Sequence, residues 1–405
     1  MSEKGKGLLS VDDALAQLLA AGKPVADLEE VATLEATGRV LARSQASTMD
    51  VPPMDNSAMD GYALRLSDLS SSGMKLKVKQ KIMAGSVGQP LEPGTAARIF
   101  TGAPIPPGAD TVVMQEHCEV AGDEVTVKKT PRQGDWVRLR ASDVKQGGEI
   151  LPAGKRLQPQ DTGLAASVGL ATLPVYRRVR LGLFFTGDEL VMPGEPLAPG
   201  RIYNSNRFTL RGLAQAYGCE MRDYGIVPDS LEATRAVLRQ AAAECDLVVT
   251  SGGVSVGDAD FVKPAVEAEG SLLMWRIAMK PGRPLAFGSV QKSFFIGLPG
   301  NPVSSFVTFL VFVRPFLMRL QGVADPSPRF ILARADFDWK EPDPRREFLR
   351  VKWNAQGGLD LYPTQDSAVL TSTSWADGLV DNPAKNVIGK GDVVRFLAYS
   401  ELYRG

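Results

Sequence analysis

Histidine is almost missing from this chain: His117 stands alone among 405 residues. Clusters of imidazole metal ligands are thereby excluded, and any histidine-based relay would rest on that one side chain. Cysteine is nearly as scarce. Cys118, Cys219 and Cys245 are scattered and show no CxxC spacing, which argues against a disulfide framework and for the reducing cytoplasm. An excess of one charge is also absent, with 46 basic and 46 acidic residues. No global field favours nucleic acid, so any phosphate site must be local. Long apolar runs are missing too. The most apolar helical stretch, 303–313, is interrupted by Ser304, Ser305 and Thr308 and reads as a core helix too short for a bilayer. Residues 1–10 are polar and lack the apolar centre of a signal peptide, so neither nucleic acid nor membrane is an expected partner.

What is present fits a soluble globular protein, with 44% hydrophobic and 23% charged residues, and a chain long enough for about two to four domains. Residues 11–19 carry apolar side chains at helical spacing behind Ser10 as N-cap. A second short helix is expected over 28–36. From 47 to 147 the texture changes. Lys75-Leu-Lys-Val-Lys79 and Glu124-Val-Thr-Val-Lys128 alternate as strands do, with glycine and proline turns between them, as in a small β domain inserted in the chain. Between 179 and 322, strands at 179–185, 221–227 and 246–250 alternate with helices at 208–217 and 231–244. That alternation predicts a doubly wound parallel sheet with ligands outside the carboxyl ends of its strands. After Asp325 strands return at 329–339, 347–353, 359–362 and 393–399, read as a separate C-terminal β domain. The expected fold is multidomain, α/β plus β. A linking mixed domain covers 1–46 and 148–177, the inserted β domain 47–147, the α/β domain 178–325 and a β-barrel-like domain 326–405.

The densest information lies between 250 and 303, where three glycine- and proline-rich turns interrupt apolar runs. They read Thr250-Ser-Gly-Gly-Val-Ser-Val-Gly-Asp-Ala-Asp260, Met279-Lys-Pro-Gly-Arg-Pro284 and Gly297-Leu-Pro-Gly-Asn-Pro-Val303. Glycines let backbone N–H groups approach a ligand, prolines fix the turns, and Lys280 and Arg283 add positive charge. At one end of a sheet they would make an anion-binding rim, with Asp258 and Asp260 available for a metal. Four further segments are polar and constrained: Asp55-Asn-Ser-Ala-Met-Asp-Gly-Tyr-Ala63, Phe100-Thr-Gly-Ala-Pro-Ile-Pro-Pro-Gly-Ala-Asp-Thr-Val-Val113, Thr186-Gly-Asp-Glu-Leu190 and Gly200-Arg-Ile-Tyr-Asn-Ser-Asn206. Taken singly, such clusters are ordinary turns. Asp258 reads as a helix cap, Asp60 as a brace for the turn at Gly61, and Tyr62 and Trp136 as packing residues.

Together, and in this order, the segments closely resemble the molybdopterin molybdenumtransferases, a family that includes the bacterial molybdopterin-biosynthesis enzyme and the E domain of gephyrin. The resemblance runs from about residue 8 to the end of the sequence. It implies a molybdopterin-binding-like α/β domain and an enzyme that hydrolyses adenylylated molybdopterin, inserts molybdate into the dithiolene, and releases AMP and molybdenum cofactor. It also implies Mg²⁺ dependence, a homodimer, and transient contact with molybdopterin adenylyltransferase and with cofactor-accepting proteins. On matching positions, Glu189, Asp229 and Asp260 become the metal-side carboxylates, and Asp60, Thr101 and Asp143 the contribution of the other subunit. Ser251, Gly252, Gly253, Lys280, Arg283, Pro299 and Pro302 become the pterin and phosphate contacts. Lys280 and Arg276 become hosts for molybdate, and Ser372 reaches the same cleft. Two positions depart from the family pattern: Phe185 stands where serine is common, and Ala141 where glycine often precedes the aspartate at 143.

The residues agree with those roles. Cleaving a phosphoanhydride requires neutralisation of developing charge, and hard carboxylates suit Mg²⁺. A scaffold or peptide-binding relative of the gephyrin type and a tungstate-specific homologue are the competing readings. Retention of the site carboxylates favours the enzyme. The same α/β domain occurs in adenylyltransferases and competence-damage-type hydrolases, but those lack the segments at 55–63 and 100–113.

Overall fold

The computed structural model describes residues 8–404 apart from 26, 73 and 254–260. Helix Val11–Ala21 begins where Ser10 Oγ accepts the Asp13 N–H at 3.0 Å, and its Val11, Ala14 and Leu18 join the main core. The helix expected over 28–36 is instead the strand Leu28–Ala32 followed by a single turn, Thr33–Glu35. That strand pairs antiparallel with Thr172–Tyr176, and Thr33 Oγ1 donates to Leu170 O at 2.6 Å. Pairing across the chain outweighs local spacing here. Leu34, which a helix would have buried, is 90% exposed.

Residues 56–127 supply a six-stranded sheet in the order Thr111–Met114, Gly61–Leu64, Thr95–Ile99, Lys75–Ile82, Glu124–Val127, Cys118–Ala121. Alternation decides its two faces. Tyr62 and Leu64 pack with Leu76, Val113 and Val125 on one side, while Ala63 packs with Ile82, Ile99 and Val112 on the other. Tyr62 is buried as expected, but Trp136 is 45% exposed, so its expected packing role does not hold. It sits at a turn with φ +54°, where the backbone carries the ring outward.

The α/β sheet runs Glu220–Val227, Arg180–Thr186, Leu247–Ser251, Ser293–Leu298, Pro284–Val290, Gly270–Arg276. Its first four strands are parallel, as expected, but the last two are antiparallel. The two-residue connection Gln291-Lys292, with Gln291 at φ +52°, can only close a hairpin. The sheet is therefore mixed. Leu181, Leu183 and Phe185 face a core shared with Leu210, Leu213 and Ala214 of helix Ser205–Ala216. Phe184 points the other way, towards Leu238 and Ala241 of helix Leu231–Glu244 and Val262 and Ala265 of helix Val262–Glu269.

Behind the first face runs a continuous helical stretch, Pro302–Leu320, longer than sequence reading allowed. It widens to a π-helical turn over Phe309–Val313 just before Pro315, whose missing N–H breaks the regular hydrogen-bond ladder. By length and composition it could cross a membrane, but 89% of its apolar window is buried inside the protein. It is a core helix.

The C-terminal sheet takes one strand from outside 326–405. Its order is Met279–Lys280, Arg346–Trp353, Gly378–Asn382, Val393–Ala398, Ile331–Arg334, so its first strand comes from the connection between the α/β strands Gly270–Arg276 and Pro284–Val290. Phe348, Leu379, Leu397 and Leu402 extend the α/β core without a break.

Candidate active site

The strands Arg180–Thr186, Leu247–Ser251 and Ser293–Leu298 end at the floor of a cleft of about 1080 Å³. Its lining includes Thr186, Gly187, Glu189, Asn204, Asn206, Asp229, Ser251, Gly252, Gly253, Lys280, Arg283, Pro299 and Pro302. The three glycine- and proline-rich turns thus converge outside the carboxyl ends of parallel strands, where ligands of open α/β sheets bind. The C-terminal domain adds Arg345 and the rim 365–368.

Side chains lace these loops together. Ser251 Oγ donates to Pro299 O at 3.0 Å, and Asn206 Nδ2 donates to Ser251 Oγ and to Gly300 O, both at 2.8 Å. Asn301 Nδ2 donates to Ser367 Oγ at 3.0 Å, tying the rim to the last turn. Pro302 opens its helix at the first position, where an N–H would have no partner. Gly253 has φ +65°, and a Cβ there would meet Val262 Cγ2 at 2.5 Å. Only glycine lets this turn lie against the helix Val262–Glu269. Gly187 is similar: at φ +142°, its space is filled by the Glu189 carboxylate, which an added Cβ would meet at 2.7 Å.

The lining sets Lys280, Arg283 and Arg345 against Glu189, Asp229 and Asp366. Asp229 and Asp188 exchange contacts, the Asp188 N–H donating to Asp229 Oδ2 at 3.0 Å and the Asp229 N–H to Asp188 Oδ1 at 3.4 Å. Lys280 Nζ lies 3.2 Å from Glu347 Oε1 and 3.4 Å from Asp343 Oδ2. The Arg345 guanidinium, bonded to both oxygens of Asp343, holds that carboxyl far below the usual carboxylate range.

Other expected residues lie elsewhere. Arg276 is exposed at a strand end and does not line the cleft. Ser372 is fully buried behind the rim, accepting from Arg350 Nε at 3.2 Å while Arg350 Nη2 holds Asp366 O at 3.2 Å. Burial pushes the Arg350 guanidinium down to about 10. Asp258 and Asp260 fall outside the described residues. Asp60 and Thr101 lie just outside strands of the inserted sheet, Asp143 lies on a loop, and none of them lines this chain's cleft. The Thr101 N–H and hydroxyl both donate to Asp60 Oδ1 at 2.8 Å, the N–H first in holding that carboxyl below its usual value. Asp143 sits on the loop that crosses Val51. Phe185, which stands where serine is expected, has its side chain wholly buried in the core.

Among the described residues, no group of three or more carboxylate, histidine or cysteine side chains forms a metal cage. Glu189 and Asp229 do line one cleft. Mg²⁺ commonly takes one or two protein carboxylates beside water and substrate phosphates. The donor set therefore fits a magnesium ion shared with a bound phosphate.

Three family models match the chain in succession: the MoeA N-terminal region (domain I and II) over 9–169, a probable molybdopterin binding domain over 182–319, and the MoeA C-terminal region (domain IV) over 332–399. The molybdopterin molybdenumtransferase of Haemophilus influenzae is 41% identical over 359 residues, covering 87% of this chain and 89% of that protein. This chain belongs to the molybdopterin molybdenumtransferase family. The relative from Nostoc sp. is also 41% identical, over 333 residues, covering 79% of this chain and 76% of that one. A crystal structure of the molybdopterin biosynthesis moeA protein from Pyrococcus horikoshii is 30% identical, with a TM-score of 0.84, and covers 97% of this chain and all of that one. The sequence leaves Asn206 and Arg345, which line the cleft, and Glu347 beside Lys280 unassigned. Asn206 lay in a segment already marked as constrained. Arg345 and Glu347 carried no local signal, because only the fold brings 345–347 beside Lys280.

Proposed function

We propose that the cleft is the active site of a molybdopterin molybdenumtransferase, which hydrolyses adenylylated molybdopterin, inserts molybdate and releases AMP with the molybdenum cofactor. The observation that carries this reading is the meeting of Glu189, Asp229, Ser251, Gly252, Gly253, Lys280, Arg283, Pro299 and Pro302 around one cleft, in a chain whose relatives bear that name. Neither a scaffold role nor tungstate specificity is favoured by those relatives. Loop N–H groups at 251–253 and the Lys280 and Arg283 cations meet the anionic parts of the substrate. The same cations take up the negative charge that develops on the departing adenylate and attract molybdate, an oxyanion. Glu189 and Asp229 would hold Mg²⁺, with Asp260 as the third expected ligand. When bound, the ion supplies charge neutralisation at the phosphate oxygens.

In this proposal the working unit is a homodimer in the cytoplasm, in which Asp60, Thr101 and Asp143 of a second copy complete each cleft. Its domains follow the boundaries 1–46 with 148–177, 47–147, 178–325 and 326–405. Molybdopterin adenylyltransferase delivers the substrate and cofactor-accepting proteins take the product. Incubation with adenylylated molybdopterin tests the activity: AMP should appear only with both Mg²⁺ and molybdate. A well-folded dimer that releases none under those conditions would refute it.

A further inference from the structure

We propose that Glu347, on the C-terminal sheet, is a positioning residue for Lys280, fixing where the cleft presents its ammonium to an oxyanion. The inference rests on the functional reading above and goes beyond it.

Lys280 reaches the cleft from a two-residue strand, and its backbone is set by the C-terminal domain. Met279 and Lys280 pair in parallel with Arg346 and Glu347, and the Arg346 N–H donates to Ala278 O at 2.9 Å. Lys280 and Glu347 are thus direct register partners. Their side chains meet as well, Nζ to Oε1 at 3.2 Å. Glu347 is 1% exposed. Its Oε2 accepts the Trp339 Nε1–H at 2.7 Å, Asn382 Nδ2 at 3.4 Å and the Asp343 N–H at 3.5 Å, while Oε1 has no conventional hydrogen-bond donor. Among the described residues, Lys280 is the cation that pairs with it. The Trp339 ring, 5.8 Å from the ammonium, closes a further side.

Asp343 plays a different part. Arg345 grips both its oxygens, at 2.8 Å each, so its charge is already answered and Lys280 lies further off, at 3.4 Å. Glu347 is the buried carboxylate whose ion pair, among the described residues, is Lys280, with the Arg345 charge acting on it from further off, and burial of that kind is tolerated only while its cation stays in place. The dependence runs both ways. A free lysine side chain explores many rotamers, and holding it costs entropy that a fixed carboxylate offsets in advance. A substrate oxyanion then meets a charge already located at the edge of the 280–284 turn.

Two physical effects of Glu347 oppose each other, and this makes the idea testable. As a mere negative charge it would repel an oxyanion, so Glu347→Gln would tighten binding. As a positioning group it holds Lys280, so the same change loosens binding. We expect the second effect to win. In calorimetric titration of the full chain with inorganic molybdate in the presence of AMP, Glu347→Gln should raise the Kd about tenfold, equivalent to about 1.4 kcal/mol. Glu347→Asp, which keeps the charge, should recover part of the loss and serves as the variant of record should the glutamine form fold poorly. In a Lys280→Ala background Glu347→Gln should weaken molybdate no further, and it should raise the Tm that Lys280→Ala alone lowers, because the unpaired carboxylate is gone.

Molybdate affinity that is unchanged or tighter in Glu347→Gln, or that weakens equally without Lys280, would overturn the proposal, as would a wild-type chain that takes up no molybdate. AMP release by the wild-type chain is scored separately. Its absence would defeat the enzymatic reading, while the titrations and the Tm cycle still decide whether Glu347 positions Lys280.

Discussion

In the cleft, Glu189 and Asp229 sit on turns that follow strands and Ser251 ends one, each segment held to its neighbours by Asn206, Pro299 or Asp188. Asp60 and Thr101 are held quite differently. They bind each other through two hydrogen bonds beside a small sheet, and neither lines this chain's cleft. One group lines a pocket backed by a core, the other is an organised carboxylate outside that pocket. The difference teaches that a preformed hydrogen-bond pattern is not yet a site. In the proposed dimer, the group that completes Asp60 is the cleft of the second copy.

The strongest test of that comparison is subunit complementation. Asp60→Ala and Glu189→Ala should each abolish cofactor formation and leave the dimer intact, since both residues lie in turns with no core to lose. If each site takes one residue from each copy, mixing and reassociating the two inactive variants should restore about a quarter of wild-type sites, as random pairing in a two-fold dimer requires. Activity assays on the mixture read this directly. No recovery would place both carboxylates in one chain's site.

A second test attacks the rigid half alone. Gly253→Ala adds a Cβ at φ +65° within 2.5 Å of Val262 Cγ2. Either the turn or the helix Val262–Glu269 must move, at a cost of about 2–3 kcal/mol. Denaturant unfolding should show that loss, and AMP release should fall with it because Ser251–Gly253 can no longer follow the same path. An alanine variant with unaltered stability would mean that the turn is not pressed against its helix.

The contrast also explains what the sequence made legible. The turns at 250–303 were readable because glycine and proline there answer local backbone demands, and the parallel strands because runs such as Leu247–Ser251 are apolar throughout. Segment 28–36 was misread, since its strand state depends on Thr172–Tyr176, far away in the chain. The antiparallel half of the α/β sheet hid in an unremarked two-residue turn at 291–292. Arg345 and Glu347 were invisible for the same reason: their function depends on the ladder that Met279–Lys280 forms with the C-terminal sheet. Local chemistry can be read from spacing, but the meeting of distant segments cannot.

A third prediction separates stability from function within one strand. Asp246 precedes Leu247–Ser251 at the end opposite the cleft. It takes both Arg177 nitrogens at 2.7 and 2.8 Å and the Arg180 N–H at 2.8 Å. Burial pushes its carboxyl up, but the Arg177 guanidinium and the Arg180 N–H outweigh burial and leave the group below its usual value. Asp246→Asn should therefore cost about 2 kcal/mol, the range of charge-assisted hydrogen bonds, with kcat/KM unchanged. A lowered folded-state value means that the carboxylate stabilises the protein above the unfolded value of 3.8. The wild-type advantage over Asp246→Asn should be constant near neutrality and vanish as pH falls through the folded value. Denaturant titrations of both proteins from pH 7 to pH 3 measure it. A gap that widens on acidification would mean that Arg177 does not hold the carboxylate in its charged form.

The smallest expected effect concerns the self-contained half. Ala141, where the sequence resemblance leads one to expect glycine, adopts φ +59° while its N–H donates to Pro52 O at 3.0 Å. An L-residue pays about 1–2 kcal/mol for that left-handed conformation, whereas glycine adopts it freely but loses about 0.5–1 kcal/mol through its more flexible unfolded chain. The balance favours Ala141→Gly by about 0.5 kcal/mol. Thermal unfolding should record a rise in Tm without a change in AMP release. A fall in Tm would show that the loop carrying Asp143 holds Ala141 by contacts that outweigh its backbone strain, and the inserted sheet would then be as firmly determined as the cleft.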